Sequence, residues 1–299
     1  MTTADATVPA ALEPAVQGEP LSTRIVRGVS KAPVYLFLAF VGLLWLVPTL
    51  ALLFTSLLPA SIVSTTGWWE VLAQPSVATL ENYRSILDNE AITSAVWTTL
   101  WISLGATILP IFVAALAAYA FAWLEFPGRD VLFLVVVALL VVPIQMALIP
   151  IFSLYNDLGL FDTILGLVLF HTAFGLPFAI FLLRNFFIGI PRDLLEAARI
   201  DGASELRIFF RVVLPLGLPA IASLAIFQFL WVWNDLLVAL TFARETQPIT
   251  VAIFSQMRQF SANIELIAPA AFISLAIPLV VFFAFQRYFV QGLLAGSVK

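Results

Sequence analysis

The chain has 299 residues, of which 62% are apolar and 11% charged, with mean hydropathy +1.05 and formal net charge −4. An ordinary soluble domain carries about 25% charged residues and must turn polar side chains outward, so lipid is the solvent for most of this chain. Soluble enzymes, nucleic-acid binders and disordered proteins are excluded. Cysteine is absent and the single histidine, His171, lies in an apolar run, which removes disulfides, thiolate nucleophiles and Cys-based metal sites.

A helical span needs about 20 apolar residues. Residues 1–22, rich in Ala, Pro, Thr and Glu, have no apolar period and read as the disordered part of an N-terminal tail over 1–30. The predicted transmembrane domain covers 31–299, with spans over 33–58, 92–124, 131–155, 164–187, 214–242 and 266–289. Continuous runs of this kind differ from the short alternating segments of a membrane β-barrel. The first is longer than the apolar core of a signal peptide and reads as an anchor that stays. The segment after it, 59–91, carries Trp68, Trp69 and Tyr83, which suit an interfacial or a packed position. Pro110, Pro143, Pro150, Pro177 and Pro278 fall inside spans, where each removes a backbone donor. Together they suit a cavity-forming bundle, although membrane helices also tolerate single prolines.

Eleven of the fourteen Lys and Arg residues fall on one side of these spans; only Arg84, Arg244 and Arg258 fall on the other. The positive-inside rule then puts both termini in the cytoplasm. No internal repeat is visible, so an inverted-repeat carrier gains no support.

The loop between spans four and five, residues 190–213, reads as two short helices and a turn. Pro191 suits a first helical position, Asp193 the N-terminal dipole, and Arg192 and Glu196 share a face. Asp201-Gly202 is a stop signal, Ser204 a cap for the second helix, and Pro215 the opening of span five. Leu194, Leu195, Ala197, Ala198 and Ile200 make the first helix too apolar for a free loop. Either a protein groove or the membrane surface accounts for that.

Glu196-Ala197-Ala198, then Gly202, then Val212-Val213-Leu214-Pro215 resembles the EAA motif, E-A-A-x3-G-x9-I-x-L-P, of binding-protein-dependent ABC importer permeases, with Val212 in place of the usual Ile. Trp233-Asn234-Asp235, Glu81-Asn82-Tyr83, Phe126-Pro127-Gly128 and the terminus from Gln286 to Lys299 are similar to its carbohydrate-uptake branch, of the MalG-like maltose-permease type. Thr66-Gly67-Trp68-Trp69 is similar to the α-glucoside permeases.

The resemblance implies an all-α, six-span bundle of the type I importer permease (MetI-like) fold, in a bacterial inner membrane. It implies half of a sugar translocation path, shared with a second, MalF-like permease subunit. A MalK-like ATP-binding dimer would carry ATP and Mg, and an extracytoplasmic sugar-binding protein would deliver maltose- or α-glucoside-like sugar. No Walker A sequence occurs in this chain; it is expected to be a transport subunit, not an enzyme, with no cofactor or metal of its own.

The residues carried over are Glu196, Ala197, Ala198, Arg199, Asp201, Gly202 and Pro215 for coupling to the ATPase. Glu196 would be the charged anchor, and Arg199 and Asp201 ionic partners at that interface or solvated charges. Gly292, Gly296 and Lys299 match a C-terminal tail inserted between the ATPases, or else a frayed end. Gln256, Gln259 and Asn263, in the polar loop 244–265, would face the binding protein, or only solvent.

Polar groups inside spans are functional suspects: Gln145, Gln228, Asn234 and Asp235. Asp235 falls about 30 Å past Pro215, which suits an interfacial structural role as well as a pathway role. His171 reads as a packed helix residue. A phosphate site would favour Arg or Lys in the path, and the predicted spans carry only Arg184 and Arg287, each within a turn of a span end, so glycerol phosphate ranks below a neutral sugar. A secondary transporter would have only Asp235 to work with.

Overall fold

The computed structural model describes residues 21–259 and 264–297. Asn263 and Lys299 lie outside the described residues. The chain divides into two units, Met1–Ala51 and Leu52–Lys299. Most of the long helix α1, Leu21–Ser56, belongs to the first.

The second unit is helical throughout, with no strand among the described residues. After short helical turns at Ala60–Val63, Glu70–Ala73 and Glu81–Leu87 come α2 (Glu90–Trp123), α3 (Arg129–Leu139), α4 (Ile144–Leu158) and α5 (Ile164–Ile188). Then follow α6 (Arg192–Ile200), α7 (Glu205–Trp233), α8 (Leu237–Phe242), α9 (Ile249–Gln259) and α10 (Ile264–Ser297). Five described helices are long and apolar enough to cross a membrane, or six if α3 and α4 count as one broken span.

The helix starts are written locally. Asn89 Oδ1 accepts the N–H groups of Ala91 and Ile92 to open α2, and Thr163 Oγ1 accepts Gly166 N–H to open α5. In the segment after α1, Trp68 stacks on Phe54 with ring centroids 6.1 Å apart. Asn82 Nδ2 donates to the carbonyls of Ser56 and Leu58, so both aromatic and amide hold that segment in place.

Two apolar runs differ from the single spans expected of them. The run 131–155 is two helices meeting at 97°. Pro143, itself extended, ends the short turn between them and stands at the N-cap of α4. It has no N–H to donate and keeps the preceding residue out of the helical region, so hydropathy continues through the link while the helix does not. Pro150, by contrast, sits inside α4. The run 214–242 breaks after Trp233, because Asp235 turns its carboxylate onto the N–H groups of Val238 and Ala239 and caps α8.

Helix α2 packs most extensively on α5. Lipid offers no hydrophobic drive between helices, so close backbone approach decides such pairs. Ala114, Ala115 and Ala118 provide it, against Ile180, Leu183 and Phe187. This core continues into Leu195, Ile208 and Phe209 of the α5–α7 connection, so that connection is built onto the bundle rather than hung from it. At the opposite end a second core holds Tyr155, Phe170, Val238 and Phe242. A third joins Trp233, Ile249 and Ala270, with Trp233 Nε1 donating to Ser274 O at 2.9 Å.

Candidate functional site

The α5–α7 connection carries the densest set of sequence-assigned residues. Pro191 precedes α6, whose nine residues have two unlike faces. Leu195 is fully buried and Ala198 packs on the same core. Glu196 and Ala197 are exposed, and Ile200 is 86% exposed. Arg192 Nε and Glu196 Oε1 stand 2.8 Å apart, both largely in solvent, a pair of the kind that contributes little.

Helix α6 ends in a Schellman motif. Gly202 N–H reaches Arg199 O at 3.0 Å, and Ala203 N–H reaches Ala198 O at 3.0 Å. Gly202 has φ +76, a left-handed value that glycine adopts without a side-chain clash. The chain thereby reverses within two residues of Ile200 and leaves that side chain at the tip.

Two details differ from expectation. Ser204 occupies the N-cap position, but its hydroxyl makes no capping bond. The second short helix does not stop before Pro215: it runs through a π turn at Phe209–Val213 into α7. The wider turn accommodates the donor missing at Pro215. Asp201 is exposed at the helix end.

Arg199 turns inward instead. Its Nε lies 2.9 Å from Glu205 Oε1, and its Nη2 3.3 Å from Glu205 Oε2. Tyr119, near the end of α2, donates its hydroxyl to Glu205 Oε2, and its ring packs at 5.5 Å on Phe209. The bond to Glu205 holds the Arg199 guanidinium above its ordinary pKa. The network joins α6, the base of α7 and α2. Arg199 and Glu205 were readable as charges on either side of a turn. Tyr119, 86 residues from Glu205, left no local signal. Arg184 lies in the last turns of α5, with its guanidinium 4.1 Å over the Phe133 ring and Nε donating to Phe121 O at 3.3 Å.

The four intramembrane suspects separate into two sets. Gln228 is buried, and its Nε2 donates to Ala106 O at 3.0 Å and reaches His171 O at 3.5 Å. His171 Nε2 faces Asp235 Oδ2 at 3.6 Å, and its other ring nitrogen is buried without a partner. Gln228, His171 and Asp235 therefore form one seam between α5 and α7. Gln145 is exposed in the first turn of α4, and Asn234 is exposed with its amide bonded to Leu230 O at 2.7 Å.

At the opposite end, α9 occupies half of the loop expected over 244–265. Its approach is pinned by Asp162, which takes the left-handed φ of +57. Asp162 Oδ1 accepts the backbone N–H groups of Arg244, Glu245 and Thr246 at 2.9–3.0 Å, and Asp162 O accepts the Thr246 hydroxyl. Burial pushes the Asp162 carboxyl up, but the N–H donors of Thr246, Glu245 and Arg244 outweigh it and hold the pKa below the ordinary value. Ile249 N–H donates to Thr99 Oγ1 at 2.7 Å. Gln256 is half-buried and lines a cavity of about 10 Å³, room for about one water. Gln259 closes α9, and Gly292 and Gly296 lie on the helical backbone of α10. Among the described residues, no group of three or more His, Cys, Asp or Glu could hold a metal.

Residues 110–294 match the family described as binding-protein-dependent transport system inner membrane component. Over 275 residues the chain is 47% identical to the osmoprotective compounds uptake permease protein GgtD of Synechocystis sp., covering 90% of this chain and 92% of the relative. It is 50% identical over 233 residues to the alpha-glucoside transport system permease protein AglG of Rhizobium meliloti, covering 75% of this chain and 61% of the relative. A chain in the crystal structure of a bacterial ABC transporter involved in the import of the acidic polysaccharide alginate is similar with TM-score 0.71 at 22% identity. That likeness covers 92% of this chain and 100% of the other, and concerns the fold.

Proposed function

Since the chain belongs to the family of inner membrane components of binding-protein-dependent transport systems, and is a multi-pass permease subunit of a sugar-type ABC importer, we propose that it moves a neutral α-glucoside-like sugar and couples to its ATPase through α6. ATP and Mg would reside on a partner ATPase dimer. A second permease would complete the path, and an extracytoplasmic binding protein would deliver the sugar. Both termini would be cytoplasmic, the end that the Lys and Arg distribution favours. Gly292, Gly296 and Lys299 would reach toward the ATPases, and Gln256, Gln259 and Asn263 would lie on the side of the binding protein.

The observation that carries the coupling role is the division of α6 into a fixed face and an offered face. Leu195 and Ala198 are packed into the bundle, and Arg199 is held by Glu205. Glu196, Ala197 and Ile200 stand clear. A push on the exposed face would therefore reach α2 and α7 as a rigid-body displacement. Ala197 allows close approach, and Glu196 supplies a charge at the rim. Pro215, within the continuous α7, places the π turn between the loop and the span.

The test is a pull-down from detergent-solubilised membranes, comparing wild type with Gly202→Pro. Wild type should bring down a second permease and an ATPase, and the variant should lose the ATPase and keep the permease. Wild type that purifies alone and moves sugar in liposomes without ATP would overturn the reading.

A further inference from the structure

Between α5 and α7 lies a concavity of about 320 Å³ lined by Phe174, Gly175, Phe178, Phe227, Gln228 and Trp231. Gln228 sits about 21 Å along α7 from Leu214, and Phe174 about 15 Å along α5 from Ile164. Against a hydrocarbon core about 30 Å thick, the concavity is well inside the membrane, and its volume falls in the range of small-ligand sites.

Its walls are rings with one face showing: Phe178, Phe227 and Trp231 are 43%, 44% and 41% exposed. The Trp231 ring meets His171 edge to face at 5.1 Å, and His171 is itself buried against Asp235. This fixes the plane that Trp231 presents. Gln228 is fixed too. Its Nε2 is committed to Ala106 O, and Gly175 leaves it room, since a Cβ there would stand 2.6 Å from Nε2. Gln228, buried and oriented through Nε2, is the one side-chain amide on this wall. No charged residue lines the concavity, so an anionic guest would lie uncompensated in a low-dielectric site.

Flat apolar rings beside one oriented amide suit a neutral hexose ring, whose C–H face is apolar and whose rim is hydroxylated. We propose that this concavity is a sugar subsite of the translocation path, with Trp231 and Phe178 as stacking faces and Gln228 as hydrogen-bonding group. The proposal rests on the sugar-importer reading above and names where this subunit touches the sugar. A lipid chain or an apolar side chain of the second permease would fill the space without using Gln228, and the test separates these occupants.

The chain has no cysteine, so Phe174→Cys or Phe227→Cys places a single thiol in it without removing a stacking face. The whole importer, with its second permease, ATPase and binding protein, is reconstituted in liposomes. The thiol is treated with a hydrophilic reagent during turnover, with maltose, sucrose or trehalose as probe. At ten times the half-saturating concentration of a transported probe, labelling should slow by about tenfold, and a non-transported sugar should leave it unchanged. In parallel, Trp231→Tyr should retain uptake and Trp231→Leu should lose it.

No labelling of either thiol in any state, or labelling at one rate with and without transported sugar, overturns the subsite. So does equal uptake by the Tyr and Leu variants, because packing alone accepts either side chain. These results leave the importer reading intact as long as wild type takes up the probe with ATP. Absence of ATP-driven uptake of every probe by wild type would remove that reading and the subsite with it.

Discussion

Arg199 and Glu205 face each other at 2.9 Å across the Gly202 turn, and Tyr119 donates to the same carboxylate from α2. Both members of the pair are about a third or more exposed, so its contribution to stability is modest, about 0.5–1 kcal/mol. Its larger consequence is mechanical. Glu205→Gln and Tyr119→Phe should lower the melting temperature only slightly. They should lower sugar- and binding-protein-stimulated ATP hydrolysis severalfold while leaving basal hydrolysis unchanged. Equal loss of basal and stimulated activity would mean that the network only folds the loop.

Gly202→Ala should damage coupling without unfolding the bundle. Its φ of +76 costs a residue with a Cβ about 1–2 kcal/mol, and relaxing that strain would shift Ile200 away from the tip. Co-purification of the ATPase subunit should weaken for Gly202→Ala and recover in part for Gly202→Asn, since Asn tolerates the left-handed region better.

Leu195 and Ile200 make opposite demands on one short helix. Leu195→Ala empties a fully buried position and should cost about 2–4 kcal/mol, read as a lower midpoint of thermal unfolding in detergent. Ile200→Ala, at 86% exposure, should leave that midpoint unchanged and weaken ATPase association. Reversal of the two effects would contradict the assignment of faces on α6.

Much of this loop was legible in the sequence, because its information is local: a proline before α6, a glycine after it, and charges four apart. The spans were legible as apolar runs. Their breaks were not, because hydropathy is blind to direction. Pro143 turns the chain by a right angle and Pro150, in the same run, does not. Asp235 read equally as an interfacial structural residue and as a pathway group; that its carboxylate caps α8 requires knowing that a helix restarts at Leu237. Tyr119 and Asp162 were missed for a simpler reason. Each acts on residues more than 80 positions away, and nothing in its own neighbourhood signals it.

Asp162 gives a pH dependence with a defined sign. Its folded pKa is held below the ordinary carboxylate value of about 3.9. The stabilisation is therefore present above that ordinary value and is lost as pH falls through the lower folded value. Protection of the Arg244–Thr246 amides from hydrogen exchange, taken relative to the intrinsic rate at each pH, should be high at neutral pH and fall below about pH 4. In Asp162→Asn, which keeps a side-chain acceptor and tolerates the left-handed backbone, protection should be lower at neutral pH, and that acid-induced fall should be missing. The same acid response in both proteins would assign the titration to another group.

The most direct test of the account is a cross-link at the tip of α6. With no native cysteine in the chain, Ile200→Cys in the assembled importer presents one thiol to the proposed ATPase interface. Treated with a short bifunctional thiol–amine reagent, it should join this chain to the ATPase subunit, with a yield that changes between the nucleotide-free and ATP-bound states. The control Arg129→Cys, placed at the start of α3, should give little product. A yield no greater than that of the control in every nucleotide state would contradict the coupling role assigned to α6.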